Sequence, residues 1–221
     1  MRSVCLSVSG AVAPSAVRGS SRTLSRMSTG LVPLRPLRVK HQGKDHSTLI
    51  LEHSKNKAMY PLFSIGHSSH PFEAFAGLLH AAGIEVLADV RSQPWSRFHT
   101  DYRREVLQEK LHAAGIRYIF MGDALGGRPR DPNLYRDGRV NYAAVVQSPT
   151  FIEGLDRLIA LTHTHHVAIM CAERHPADCH RSLLIGNALL SRGADVRHLL
   201  AEGGEVLQSE LETKPQGELF G

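Results

Sequence analysis

"HVAIMCAERHPADCHRSLLIGNALLSRG", residues His166–Gly193, decides how the rest of the chain is read. Its first six residues are nearly all apolar, which suits a short strand buried on both faces, as in a parallel sheet. From Cys179 onward Leu183, Leu184 and Ala188 fall on one face of a helix, with Asp178 placed to cap it. A strand, a polar loop and a helix in that order make a βα unit. The loop, "CAERHPADCHR", holds two of the chain's three cysteines.

Working outward, the same alternation repeats. "YPLFSIGH" (Tyr60–His67), "IEVLADV" (Ile84–Val90), "IRYIFM" (Ile116–Met121) and "DVRHLLAE" (Asp195–Glu202) read as further strands. Between them, Phe72, Phe75, Leu78 and Leu79 form a helical stripe, with Ser69 as cap, Pro71 in the first turn and Gly83 as the stop. Val106, Leu107 and Leu111 form a second stripe, capped by Asp101 and stopped by Gly115. Helical sequence also runs from Asn141 to about His163. Strands alternating with helices of this length predict an α/β fold: a three-layer α/β/α sandwich around a mainly parallel, Rossmann-like sheet of about five strands.

In such a sheet, ligands bind outside the carboxyl ends of the strands. The residues that follow the strands here are polar or conformationally special: Gly66-His67-Ser68-Ser69, Asp89-Val90-Arg91 through Arg97, Gly122 through Arg128, and Cys171-Ala172-Glu173 through Arg181. The functional site is expected at that edge.

A chain of 221 residues accommodates one such domain and an appendage. Residues 1–58 carry ten Lys or Arg against Asp45 and Glu52, a balance of +8; the whole chain is +5, so residues 59–221 sum to −3. The basic character belongs to the N-terminal segment, and the acidic core gives no support to duplex nucleic-acid binding. Residues 1–58 show no sustained period. "VPLRPLRVK" lacks the amphipathic face of a transit peptide, and "CLSVSGAVAPSAV" is too interrupted for a secretory signal. A disordered extension, or a start placed upstream of a natural one at Met59, is expected there. Residues 59–202 are read as a single domain and 203–221 as a polar tail with room for one short edge strand. No run approaches the roughly 18 apolar residues of a membrane span.

"SIGHSSHPFEAF", "LADVRSQPWSRF", "YIFMGDALGGR" and "CAERHPADCHRSLLI", in this order, resemble the mainly prokaryotic family catalogued as domain of unknown function 488, over residues 59–202. The resemblance implies a compact α/β domain, a Cys-x-Glu segment followed by Cys-His-Arg, and a bacterial, cytoplasmic setting. It brings no agreed reaction. Members begin just before the first strand, so residues 1–58 depart from the pattern.

The chemistry is read residue by residue. Cys179, at a helix N-terminus where partial positive charge favours the thiolate, and Cys171, at a strand end, are the candidate nucleophiles. The plain alternative is a buried apolar Cys171 and a tolerated Cys179. His67, Glu173 and Asp89 are the candidate acid–base groups, although Asp89 serves equally well as an ion-pair partner that orients Arg91. Arg91, Arg97, Arg128, Arg181 and His180, with Ser68 and the amides of Gly126 and Gly127, are candidates to bind an anion. Trp95 could wall a pocket or merely pack. "HTHH" (His163–His166) reads as a solvated turn.

A metal held by Cys171, His175, Cys179 and His180 is a weaker reading, because C-x7-C-H is not the paired spacing of a structural zinc site. No Walker loop and no dinucleotide fingerprint occurs, so ATP and NAD are unsupported and no cofactor is called for. The leading expectation is a thiol-dependent hydrolase or transferase acting on a small anionic, phosphate- or nucleotide-like molecule. The alternatives are a non-catalytic nucleotide or nucleic-acid binding module and a metal-assisted hydrolase.

Overall fold

A computed structural model describes residues 60–212. The readings of residues 1–58 and of the final nine residues lie outside it. The elements run β1 (Leu62–Gly66), α1 (Phe72–Ala81), β2 (Val86–Asp89), α2 (Arg104–Ala113), β3 (Arg117–Phe120) and α3 (Gly122–Leu125). They continue with a hairpin of β4 (Tyr135–Arg136) and β5 (Arg139–Val140), then α4 (Tyr142–Val145), α5 (Pro149–Thr162) and β6 (Val167–Cys171). A π-helical segment, Arg181–Gly186, leads into α6 (Asn187–Leu190), followed by β7 (Val196–Leu199) and β8 (Glu205–Leu207).

All five anticipated strands form, and they are mutually parallel in the order β3-β2-β6-β1-β7. The sheet has six strands rather than about five. The sixth, β8, is the short edge strand for which the tail from Gly203 left room, and it pairs antiparallel with β7. Gln208, just beyond it, is buried and bonded to His198 and Asn187, so this stretch is part of the core.

The two faces of the sheet have separate cores. Phe63, Ile65, Leu87, Ala168 and Met170 pack under α1 and α2 through Phe72, Phe75, Leu79, Leu107 and Leu111. Leu62, Val86, Ala88, Val167 and Ile169 pack under α5 and the C-terminal helical segment through Phe151, Leu155, Leu158, Leu184, Ile185 and Leu189. Alternate strand residues point to opposite faces, so covering both requires the three layers observed. Each fully buried Leu or Phe contributes about 1.5–3 kcal/mol.

Gly83 and Gly115 end α1 and α2 with φ of +66° and +76°, a left-handed conformation that residues with a Cβ rarely adopt. The expected N-caps differ. Pro71 and Arg103 occupy the cap positions of α1 and α2, neither with a side-chain bond. Asp101 instead sits in a 3-10 turn, Thr100–Tyr102, and pairs with Lys110 at 3.1 Å. The helical run from Asn141 is broken by Pro149, whose ring forces a restart at α5 with the Ser148 hydroxyl accepting from the Phe151 amide. Asp178 ends a 3-10 turn, Pro176–Asp178, instead of capping the following helix. Cys179, in extended conformation, takes that place: its carbonyl accepts from Ser182 and Leu183.

Chain direction places the site. From β1 the chain steps outward to β2 and β3; from β6 it steps the other way to β7 and β8. The loops leaving neighbouring strands β2 and β6 therefore diverge, which opens a crevice at their carboxyl ends.

Candidate functional site

That crevice is a pocket of about 280 Å³, lined after β2 by Arg91, Ser92 and Gln93 and after β6 by Cys171, Ala172 and Glu173. Asp178, Cys179, His180 and Leu183 close the β6 side, while Gly127, Arg128 and Tyr142 complete the wall. Larger grooves lie elsewhere. One of about 840 Å³ beside α2 and β3 holds no thiol and lies away from the divergent loops.

Four groups meet on the pocket floor. Cys171 and Cys179 are both free thiols and nearly inaccessible, at 3% and 2% exposure. The sulfur of each donates to Glu173 Oε2, Cys179 at 3.2 Å and Cys171 closer. His180 Nδ1 lies 3.5 Å from the Cys171 sulfur and 3.8 Å from that of Cys179. On its far side His180 Nε2–H donates to the Val90 carbonyl at 3.0 Å. That bond fixes the ring and leaves Nδ1 turned towards both sulfurs.

The electrostatics follow from this packing. A hydrogen bond from Cys179 and the charge of His180 hold the Cys171 thiol down at about 6, against burial. Burial and the neighbouring Cys171 push Cys179 up. Burial disfavours the Glu173 carboxylate, but hydrogen bonds from both thiols outweigh it and hold the group below its ordinary range. Burial opposes a charged His180, and the adjacent Cys171 overcomes it.

The scaffold behind these groups is densely hydrogen-bonded. Cys171 ends β6, the strand between β1 and β2, and its carbonyl accepts from the His67 amide at 2.9 Å. Arg181 is completely buried. Its Nη1 and Nη2 donate to the carbonyls of Glu173 (2.6 Å) and Arg174 (2.9 Å), clamping the loop that carries the carboxylate. The Arg181 amide points at the Cys179 sulfur at 3.4 Å.

Of the expected site residues, Cys171, Glu173, Cys179, His180, Arg91, Gly127 and Arg128 share the pocket. The others have different surroundings. Asp89 is buried and satisfied: it accepts from Arg91 Nε (2.9 Å), Nη2 (2.6 Å) and main-chain N–H (3.0 Å), and from the Tyr118 hydroxyl (2.8 Å). It orients Arg91 and has no route to the pocket. His67 stands behind Arg91, with Nδ1–H donating to the Ser68 carbonyl and Nε2 accepting from Arg91 Nη1 at 3.3 Å. Burial and the Arg91 charge push His67 down to about 4, so it is neutral and a positioning residue, not a proton carrier.

Arg181 binds main-chain carbonyls and leaves no face for an anion. Arg97 and Trp95 are exposed and outside the pocket, Arg97 lying over the Phe98 ring. Ser68 serves through its backbone, its amide bonded to Ala172 at φ +48°. Gly126 allows close packing on Ser92, and Gly127 allows it on the His180 ring, which a Cβ would meet at 2.9 Å. Both glycines bring loops together and leave no space for an anion at their Cα.

His175, counted among possible metal ligands, instead accepts from the Ala177 amide through Nδ1 at 3.3 Å. Tyr142 was not singled out by sequence. Burial, then the charges of Cys179 and Cys171, push its hydroxyl up to about 12. Only α4, a short helix without a motif, brings it there.

Residues 71–187, more than half of the chain, match the family model described as Domain of unknown function DUF488, and the chain belongs to that family. No curated protein and no solved structure gives a match. Among the described residues no helix is long and apolar enough to cross a membrane.

Proposed function

We propose that this member of the DUF488 family is a thiol-dependent hydrolase or transferase that acts on a small anionic, phosphate- or nucleotide-like substrate in the crevice between β2 and β6. One observation carries the reading. A single pocket of about 280 Å³ has both thiols, Glu173 and His180 on its floor and Arg91 and Arg128 on its wall. Its size, at the lower limit of small-molecule sites, favours a compact ligand. Arg91, whose guanidinium fork is taken by Asp89, gives the wall a fixed positive charge, not a free bidentate contact. The Arg128 main chain is tied to the Ser92 hydroxyl at 2.8 Å, and its side chain is exposed at the mouth. Tyr142 adds a hydroxyl that is neutral at ordinary pH.

Alkylation tests this. Reduced protein, held with a chelator so that no metal covers the sulfurs, is treated with iodoacetamide, with and without inorganic phosphate. Modification at Cys171 or Cys179, slowed by phosphate in the natural chain and not in Arg128→Ala, is the expected result. Labelling indifferent to phosphate in both proteins removes the anionic-substrate reading.

A second reading, a nucleotide or single-stranded nucleic-acid binding module, draws on the loop after β2. Trp95 (66% exposed) and Phe98 (79% exposed) stand there with Arg103 and Arg97 over their rings. Exposed aromatics among arginines suit base stacking. Salt-sensitive retention of a short single strand in a gel shift, lost in Trp95→Ala, supports it.

A further inference from the structure

We infer that Cys171, Glu173, Cys179 and His180 are the ligands of one Zn²⁺ ion. This rests on the reading of the pocket as the functional site; sulfurs bound to zinc are not free nucleophiles, so with the ion in place the thiols serve the anionic-substrate site through the metal.

The first argument is metric. The four donor atoms all lie within 4.8 Å of one another. Zinc bonds of roughly 2.0–2.3 Å in a tetrahedron separate the ligands by about 3.3–3.8 Å. The contacts Cys171–His180 (3.5 Å) and Cys179–His180 (3.8 Å) fall along such edges, while Cys179–Glu173 (3.2 Å) and the closer Cys171–Glu173 contact are shorter, as hydrogen bonds from protonated thiols that the ion would replace. A pair of packed thiols needs no imidazole and carboxylate converging on the same point.

The second argument is orientation. A ligating imidazole typically donates its other N–H to a carbonyl or carboxylate, which fixes the tautomer. His180 does this to Val90. Arg181 holds the Glu173 loop by two main-chain carbonyls, and β6 holds Cys171, so three of the four ligands are positioned before any ion arrives.

The third is charge and donor type. In the metal-free site the thiols remain donors to Glu173, because two thiolates and a carboxylate this close would repel one another strongly in a buried site. A dication removes that repulsion. Two sulfurs and one imidazole select zinc over magnesium or calcium, which take oxygen ligands. The C-x7-C-H spacing that counts against a metal in the sequence ceases to matter once the loop folds back: Glu173 replaces His175 in the set, and the strand end meets the helix start. Glu173 is the exposed member, so the ion faces the pocket.

The test uses the full chain. Metal-free, reduced protein is titrated with Co²⁺ as a spectroscopic probe and then with Zn²⁺, and elemental analysis counts zinc in the protein as purified. The inference expects one ion per chain, sulfur-to-cobalt charge-transfer bands with the intense visible bands of a tetrahedral site, and displacement of cobalt by zinc. Cys171→Ser and Cys179→Ser should each weaken binding by more than the roughly 100-fold typical of losing a supporting residue. Glu173→Gln, at an exposed position, should weaken binding while the circular dichroism spectrum is unchanged, which covers the case in which a cysteine variant does not fold. Replacing His163, His165 and His166 together by Gln should change nothing.

No uptake by folded, reduced protein overturns the inference. So does cobalt bound without sulfur bands, or uptake equal in the double cysteine variant. The two readings fail separately. Phosphate-sensitive alkylation without metal uptake leaves the thiol-dependent enzyme standing and removes the zinc. Zinc uptake with alkylation indifferent to phosphate does the reverse.

Discussion

Arg181 donates to the main-chain carbonyl of Glu173 at 2.6 Å from a position with no solvent exposure. A residue that reads as an anion clamp therefore acts on the backbone that carries the carboxylate bonded to both thiols. Replacing it by Met should cost roughly 3 kcal/mol, the scale of losing charge-assisted bonds to two carbonyls left buried. Arg181→Lys should recover little, since an ammonium cannot reproduce the fork that spans Glu173 and Arg174. Urea unfolding midpoints of the three proteins decide it; a fully stable Lys variant contradicts the clamp.

Asp89 should be essential to stability because of Arg91. Removing the carboxylate in Asp89→Asn leaves a buried guanidinium unpaired, which costs about 3–5 kcal/mol. The double variant Asp89→Asn/Arg91→Met should recover part of that loss, and a double-mutant cycle measures the coupling. Additive losses would show that the pair does not interact as the bond lengths imply.

Stability should fall in acid through two histidines. His67 and His198 are both pushed down to about 4, first by burial. Between pH 6.5 and 4 the unfolded chain binds these protons and the folded chain does not, so stability rises with pH across that window and is lost as pH falls. Each group accounts for about 3 kcal/mol when the loss is complete. For His198 the neutral ring is needed by the Ser64–His198–Gln208 chain, whose two bonds are 2.5 and 2.8 Å. Denaturant midpoints measured from pH 7 to pH 4.5 should drop steadily, and a flat profile contradicts both assignments.

Two glycines should respond in opposite directions to alanine. A Cβ on Gly66 would meet the Glu173 carbonyl oxygen at 1.9 Å and Arg181 Nη1 at 2.6 Å, so Gly66→Ala should unfold or severely destabilise the chain. Gly77 lies within α1 with nothing within 4 Å of the added carbon, so Gly77→Ala should stabilise by roughly 0.5–1 kcal/mol. Thermal melts of the two variants compare them directly.

Much of the fold is legible in local pattern. The nearly all-apolar "HVAIM" and the stripe through Phe72, Phe75 and Leu79 specify strand and helix because burial periodicity is a local property. Caps were less legible: Ser69, Asp101 and Asp178 all have the right side chains, but cap geometry depends on where the preceding loop enters. Pro149 breaks the Asn141 helix visibly enough to have been read. The segment from Gly203 onward allowed one short edge strand, but its place in the core was not legible, since such a strand has no periodicity until β7 offers it a ladder.

The site divides in the same way. Sequence order alone determined that β2 and β6 would end in charged and thiol-bearing loops at one edge of a parallel sheet, because a βα repeat forces every strand to point the same way. Only the tertiary structure decided which of those residues meet. It sets Arg181, His67 and Asp89 behind the pocket and closes Cys171, Glu173, Cys179 and His180 on a common point. A side chain's partners across the sheet depend on strand order and loop closure, which no local spacing contains: His180 finds Val90 ninety residues away in sequence, at 3.0 Å.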